Sequence, residues 1–301
     1  MQIRRREFLK QSALGLGATV LGPRWANGAS TGGFFDPYEK VQLGQSRLSA
    51  PRLCLGTGMN GWMRESNQSR LGKKKFSALI RGAYERGVRL FDSADLYGTH
   101  SFFVPALDGI PRDSYSIITK MWWGPNGLPE KERPDADVVV KRFLKELQTD
   151  YIDLMLLHCV TSREWPAALR HQMDLLADFK TKGIVRAVGV SCHSLAALEA
   201  AVDEPWVDSV HARINPYGLS MDGPASAVLP VLQKLHAAGK GVVGMKIIGA
   251  GELRRDESRR DASIRMALQS GCVDVLNVGC ETLAEVDDVA ARVRKVPRQA
   301  A

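Results

Sequence analysis

The chain has 301 residues, 45% hydrophobic and 25% charged, the balance of a soluble globular protein; it is long enough for two ordinary domains or one α/β barrel of roughly 250 residues. Its formal charge is +8, but Arg4, Arg5, Arg6, Lys10 and Arg24 against Glu7 place +4 of that in the first 29 residues. The remaining excess is thin and scattered, which argues against a nucleic-acid partner, and five cysteines with no Cys-x-x-Cys pair argue for buried thiols over a disulfide framework or a zinc ribbon.

Residues 1–29 read as an address. Arg5-Arg6-Glu7-Phe8-Leu9-Lys10 resembles the twin-arginine export motif. The weakly apolar stretch that follows, residues 12–22, is shorter than the ~20 residues needed to span a bilayer. Pro23, Arg24 and the small-residue run Ala26-Asn27-Gly28 then suggest a cleavage site. The expectation is recognition by the export machinery and a periplasmic destination, or a cytoplasmic one if the segment is inert. Twin-arginine export carries proteins that fold first, often around a cofactor, so a bound cofactor is to be looked for.

After a linker at residues 30–40, residues 41–43 and 46–48 suggest a small hairpin turning at Gly44-Gln45. Eight β-type runs follow, at residues 53–56, 88–92, 115–120, 151–158, 187–191, 209–215, 242–248 and 273–279. Between them the apolar residues recur at three- and four-residue spacing, which predicts helices over 73–86, 136–147, 165–181, 196–202, 227–238, 258–269 and 283–293. A shorter segment, 102–107, is interrupted by Pro105. Several of these end in glycine, as a left-handed cap requires.

Continuous apolar strands alternating with amphipathic helices imply a parallel sheet covered by helices. Eight such units favour a closed (β/α)8 barrel spanning residues 41–293, with a short tail at 294–301. A doubly wound dinucleotide fold is disfavoured, because Gly56-Thr57-Gly58 runs on into Met59-Asn60-Gly61 with no helix start for a pyrophosphate.

On such a barrel the C-terminal strand ends converge on one mouth. Strands two, three and four deliver Asp92 with Tyr97, then Lys120, then His158. A phenol beside a protonated lysine has its phenolate favoured, an aspartate holds that cation, and a histidine across the pocket can orient a carbonyl oxygen. Together they form a general acid for the oxyanion made when hydride reaches a carbonyl carbon. The motifs Phe91-Asp92-Ser93-Ala94-x-x-Tyr97-Gly98, Ile118-Thr119-Lys120 with Trp122, Leu156-Leu157-His158, Gly189-Val190-Ser191 and Asn215 resemble those of the aldo-keto reductases. The resemblance covers about residues 41–293 and implies a nicotinamide-dependent oxidoreductase that acts on a small carbonyl or alcohol. It implies Tyr97 as proton donor, Lys120 and Asp92 as its tuning pair, and His158 as the carbonyl-orienting group.

The same resemblance places cofactor contacts at Ser191, Cys192, His211, Asn215, Met245, Lys246, Gly279, Glu281 and Glu285, with departures from the family pattern. Where members hold the nicotinamide carboxamide with Ser-Asn and Gln, this chain has Ser191-Cys192 and His211, so His211 or His193 is expected to take over. Met245-Lys246 stands where many members stack a tyrosine. Gly279 and Glu285 occupy positions where NADPH-selective members present cations, so the cofactor can be NADP(H) or NAD(H), with weak NADPH selectivity expected, Glu281 or Glu285 able to accept from the free 2′-hydroxyl of NADH, and Arg292 or Arg294 as the remaining cations for a 2′-phosphate. Trp62, Trp122, Trp123 and Tyr217 on mouth loops suggest an apolar or ring-bearing substrate. Two other readings exist: a metal-dependent hydrolase built on His158, His193 and His211, and an exported binding or sensor subunit with little turnover.

Overall fold

The computed structural model describes residues 33–46 and 48–299; the export-like segment lies outside them. The chain first makes an antiparallel pair, β1 (Lys40–Gln42) and β2 (Ser49–Pro51). Eight parallel strands then close into a barrel: β3 (Leu53–Gly56), β4 (Leu90–Asp92), β5 (Ser116–Met121), β6 (Ile152–Val160), β7 (Val185–Cys192), β8 (Ser209–Arg213), β9 (Gly241–Met245) and β10 (Val275–Gly279). They pair in chain order, and β10 returns to β3.

Two layers of apolar side chains explain why these strands read as nearly unbroken hydrophobic runs. One face of each points into the barrel, where Cys54, Leu90, Ile118, Leu154, Leu156, Ala187, Val243 and Val275 form the inner core. The other face packs under the helices through residues such as Leu55, Phe91, Ile117, Met155, Val188 and Val210. A sheet covered on both sides loses the polar alternation of a solvated strand.

The outer ring comprises α1 (Asn67–Arg70), α2 (Gly72–Glu85), α3 (His100–Ala106), α4 (Ala136–Leu147), α5 (Trp165–Ala168), α6 (Arg170–Thr181), α7 (Leu195–Asp203), α8 (Ala225–Ala237), α9 (Glu257–Gln269) and α10 (Leu283–Val293). The helix expected over residues 165–181 is divided at Leu169, whose φ of −109° and ψ of 15° are not helical. Trp165 is the reason: its ring is buried and its Nε1 donates to the Ala197 carbonyl at 3.1 Å, so the first turn is drawn toward α7.

The expected hairpin turns at Gly44-Gln45, where Ser46 N donates to the Leu43 carbonyl at 3.2 Å. Gln42 pairs with Ser49, and Leu43 N donates to the Leu48 carbonyl at 2.9 Å, so Leu43 and Leu48 face inward together and join the inner core, closing the N-terminal end of the barrel. Gln45 N donates to the Gly239 carbonyl at 2.6 Å and anchors that plug. The segments flanking the expected domain are ordered against each other: Phe35 N donates to Val296 O at 3.0 Å, and Arg298 N to Gly33 O at 2.8 Å. All five cysteines are free, four of them buried and Cys159 partly exposed.

Candidate active site

Asp92 is the last residue of β4, and a single 3₁₀ turn, Asp95–Tyr97, carries the chain from it to Tyr97. That turn is pinned by Asp95, whose buried carboxylate accepts from Arg64 at 3.2 Å and from Arg142 at 2.6 and 3.0 Å. Lys120 stands near the end of β5 and His158 near the end of β6. The four side chains meet at the C-terminal mouth of the barrel. Lys120 Nζ donates to Asp92 Oδ1 at 2.5 Å, to the Ser93 carbonyl at 2.8 Å and toward Tyr97 Oη at 3.5 Å. Tyr97 Oη lies 3.4 Å from His158 Nε2.

Burial governs the protonation of this cluster. Lys120 is 1% exposed, an arrangement tolerable for a cation only because Asp92 and a carbonyl meet it. Burial works to raise the Asp92 carboxyl, but Lys120 and then His211 outweigh it and hold the group well below the usual carboxylate range. The Tyr97 phenol moves in the other direction from that expected from lysine alone: burial, reinforced by Asp92, pushes it well above 10. The Lys120 charge is committed to Asp92, and its contact with the phenol is at the limit of a hydrogen bond. Tyr97 is therefore a protonated donor at neutral pH. Burial, then Lys120 and His193, push the His158 imidazole well below 6.5, so it is neutral.

A cavity of about 590 Å³ opens over this cluster, within the size range of small-molecule and cofactor pockets. Near the tetrad its wall is Leu96, Trp62 and Trp122 on one side and Cys159, Ser191 and His193 on the other. It continues past Met245 and Lys246 to Gly279, Glu281, Glu285 and Asp288 at the start of α10. Trp62 and Trp122 meet edge to face at 5.9 Å, and Trp122 meets His158 the same way at 5.8 Å.

The expected contacts divide. Ser191, Met245, Lys246, Gly279, Glu281, Glu285, Trp62 and Trp122 line the cavity with the tetrad. Five others stand elsewhere, each for a physical reason. Strand alternation turns Cys192 outward, fully buried among the helices, while Ser191 and His193 face the cavity. His211 is fully buried behind the tetrad, its Nε2 3.5 Å from Asp92 Oδ1 and poorly directed for a hydrogen bond. Asn215 ties its own loops together: Nδ2 donates to Leu219 O and Lys246 O, and Oδ1 accepts from Tyr217 N and Leu219 N. Trp123 backs the tetrad by donating to the His158 carbonyl at 2.8 Å. Tyr217 is outside the cavity, with Arg259 4.1 Å from its ring centroid.

The cations expected on the last helix are also engaged elsewhere. Arg292 is buried against Asp288 and Asp261, and Arg294 lies over Tyr38. Glu281 accepts from Asn67 Nδ2 at 2.8 Å, and Glu285 closes the capping box of α10 by accepting from Glu281 N and Thr282 N.

Several lining residues carry no motif in the sequence. Arg254 and Arg260 line the far end, where Arg260 Nη1 donates to Asp288 at 2.8 Å. Arg260 Nε and Asn277 Oδ1, both on the cavity wall, are buried and without a partner among the described residues. Cys159 is the bulged residue of β6, with φ of 57°, its N–H donating to Ser191 Oγ at 2.8 Å. Gly58 and Gly61 press on the Tyr97 ring. A strand-end bulge and a backbone contact leave no signature that spacing can reveal.

Comparison with known proteins agrees with this architecture. A methylglyoxal reductase of Salmonella typhimurium is 29% identical over 150 residues, 46% of this chain and 52% of that protein. One from Escherichia coli O157:H7 is 28% identical over 207 residues, 64% of this chain and 70% of that protein. In its first matches the chain thus spans about half the length of the curated relatives. The fold matches an aldo-keto reductase from Bacillus halodurans with a TM-score of 0.68 at 20% identity, covering 87% of this chain and 93% of that one. The Aldo/keto reductase family model matches residues 52–299, nearly the whole barrel, and the chain belongs to that family.

Proposed function

We propose that the protein is an NAD(P)H-dependent reductase of small aldehydes or ketones, with Tyr97 as the proton donor. The observation that carries this reading is the position of Tyr97 Oη, between His158 Nε2 at 3.4 Å and Lys120 Nζ at 3.5 Å on the floor of the cavity. A protonated phenol there can hand its proton to a carbonyl oxygen as that oxygen gains charge. Neutral His158, with its proton on Nε2, donates to the same oxygen and fixes its place, and Lys120 steadies the charge left on Tyr97. What a reduced nicotinamide supplies when bound is the hydride.

The residues present fit such a cofactor. The cavity runs from the tetrad to the start of α10, and its wall away from the tetrad holds buried polar atoms without a partner among the described residues, Arg260 Nε and Asn277 Oδ1. Ser191, Met245 and Lys246 would flank the nicotinamide end, and Lys246 and Arg254 would meet the phosphates. At the adenosine end Glu281, Glu285 and Asp288 line the wall, Arg260 is already paired with Asp288, and Glu285 fills the anion-binding start of α10. This set favours a free 2′-hydroxyl, so NADH binds more tightly than NADPH. Fluorescence titration with both cofactors tests this, and clearly tighter NADPH binding would refute it.

Trp62, Trp122 and Leu96 favour a carbonyl with an apolar or ring-bearing group. The reductase relatives carry methylglyoxal in their names, so methylglyoxal is the natural comparison substrate. The test is oxidation of NADH by 4-nitrobenzaldehyde and by methylglyoxal. Turnover of both with a lower KM for the ring-bearing aldehyde supports the reading, and a protein that binds cofactor but reduces neither contradicts it. We also infer export through the twin-arginine-like residues Arg5 and Arg6. Periplasmic fractionation of the native chain and of an Arg5→Lys, Arg6→Lys double variant tests that, the variant being expected to stay in the cytoplasm.

A further inference from the structure

We propose that His193, oriented by Cys159, is the group that holds the nicotinamide carboxamide in this chain. The inference rests on the reductase reading and concerns a position that the family pattern leaves open here. A carboxamide needs both a donor and an acceptor facing it. The two side chains best placed by sequence cannot provide them: Cys192 points into the helical layer, and His211 is sealed behind Asp92. Asn215 spends its amide on its own loops.

The wall beside the tetrad carries Ser191, Cys159 and His193 instead. His193 follows Cys192 at the end of β7, and its backbone N–H donates to Val160 O at 2.8 Å, which fixes the start of the loop. Its ring stands 6.5 Å from that of His158, centroid to centroid, and nearly perpendicular to it. Any nicotinamide whose hydride reaches a carbonyl held by Tyr97 and His158 lies within reach of this wall.

The ring is also prepared for the task. Its Nε2 lies 3.3 Å from Cys159 Sγ, and Nδ1 has no partner among the described residues. Burial raises the Cys159 thiol to about 11, so the sulfur keeps a proton that it can donate to Nε2. Burial, then the Arg213 and Lys246 charges, lower the imidazole to about 3, so it stays neutral. The tautomer that satisfies the thiol carries its proton on Nδ1, which becomes a donor for the carboxamide oxygen. Ser191 Oγ, already accepting from Cys159 N, keeps a second lone pair that can accept from the carboxamide amine. The bulge at Cys159 thus serves the site twice, placing the thiol against His193 and the N–H against Ser191.

The test compares NADH with ADP-ribose, which lacks the nicotinamide and its carboxamide, by quenching of the tryptophan fluorescence. Wild-type protein is expected to bind NADH more tightly than ADP-ribose. In His193→Ala and in His193→Phe, which keeps a flat ring, NADH binding is expected to weaken roughly tenfold, the worth of one hydrogen bond, with ADP-ribose unchanged. His193→Gln, which keeps a donor and an acceptor, is expected to recover most of the loss. Equal NADH affinity in wild type, Ala and Phe variants overturns the assignment, as does an equal loss for both ligands. A wild-type protein that binds neither ligand overturns the reductase reading, and this inference with it.

Discussion

The ring of Tyr97 lies on the bare backbone of Gly58: a β-carbon at Gly58 would come within 2.2 Å of the ring, and one at Gly61 within 2.3 Å. The loop after β3 therefore acts as a flat plate that sets how far the phenol can tilt toward His158 and Lys120. In Gly61→Ala the ring must shift, because the obstructing atoms belong to a ring fixed by its own buried turn. We expect kcat to fall by about a hundredfold, the order expected for roughly 1 Å of misplacement, with the Kd for NADH close to wild type. Steady-state kinetics beside a cofactor titration separate the two. Loss of cofactor binding in step with kcat would show that the loop collapses.

Asp92 and Lys120 are mutually dependent. Lys120→Met leaves a carboxylate buried without its cation, which costs about 3–5 kcal/mol in comparable cases. Urea unfolding is expected to show that loss, and the double variant Asp92→Asn, Lys120→Met is expected to recover much of it. The sign of the pH effect follows from the lowered Asp92 group. Its contribution is complete above the unfolded value of about 3.9 and is lost as pH falls toward the folded value. Asp92→Asn should therefore flatten the stability profile below about pH 4.

The histidines act at higher pH. His158, His193 and His211 are all held below 6.5 in the folded protein, with burial the largest cause in each. Below about pH 6.5 the unfolded chain binds protons that the native protein refuses, so stability falls as pH falls. His193, lowered to about 3, alone removes about 2 kcal/mol between pH 7 and pH 5. Chemical unfolding at the two pH values in wild type and His193→Gln checks this, the variant being expected to lose less.

Leu43 tests the plug at the other end of the barrel. It is fully buried in the inner core, and Leu43→Ala is expected to cost about 2–5 kcal/mol. Because the plug sits opposite the mouth, the NADH Kd measured below the melting transition should stay at its wild-type value.

The barrel was legible in the sequence because burial on both strand faces leaves long apolar runs, which the helical spacing then punctuates. Helix ends read well where glycine or a capping residue marks them. The break at Leu169 did not, because it depends on a tryptophan reaching a neighbouring helix. The hairpin turn at Gly44-Gln45 read well from local turn chemistry, whereas the placing of Leu43 and Leu48 in the barrel interior did not, because it answers to the barrel and not to the turn. At the site, the tetrad side chains stand in recognisable order, and the structure brings all four together. The far wall was less readable. A one-residue alternation decides that His193 faces the cavity and Cys192 does not, while Arg254 arrives from the turn before α9 and Arg260 from α9 itself, a stretch whose sequence looks like any solvated surface.

The central claim is that the phenol of Tyr97 delivers the proton. The most direct measurement is multiple-turnover reduction of 4-nitrobenzaldehyde by NADH in wild type and in Tyr97→Phe, with NADH affinity measured on the same preparations. The variant keeps the ring against Gly58 and Gly61 and loses only the hydroxyl. We expect kcat to fall by about 10²–10⁴, the usual contribution of a positioned acid, with NADH binding retained. A Tyr97→Phe protein that turns over at the wild-type rate would contradict the account.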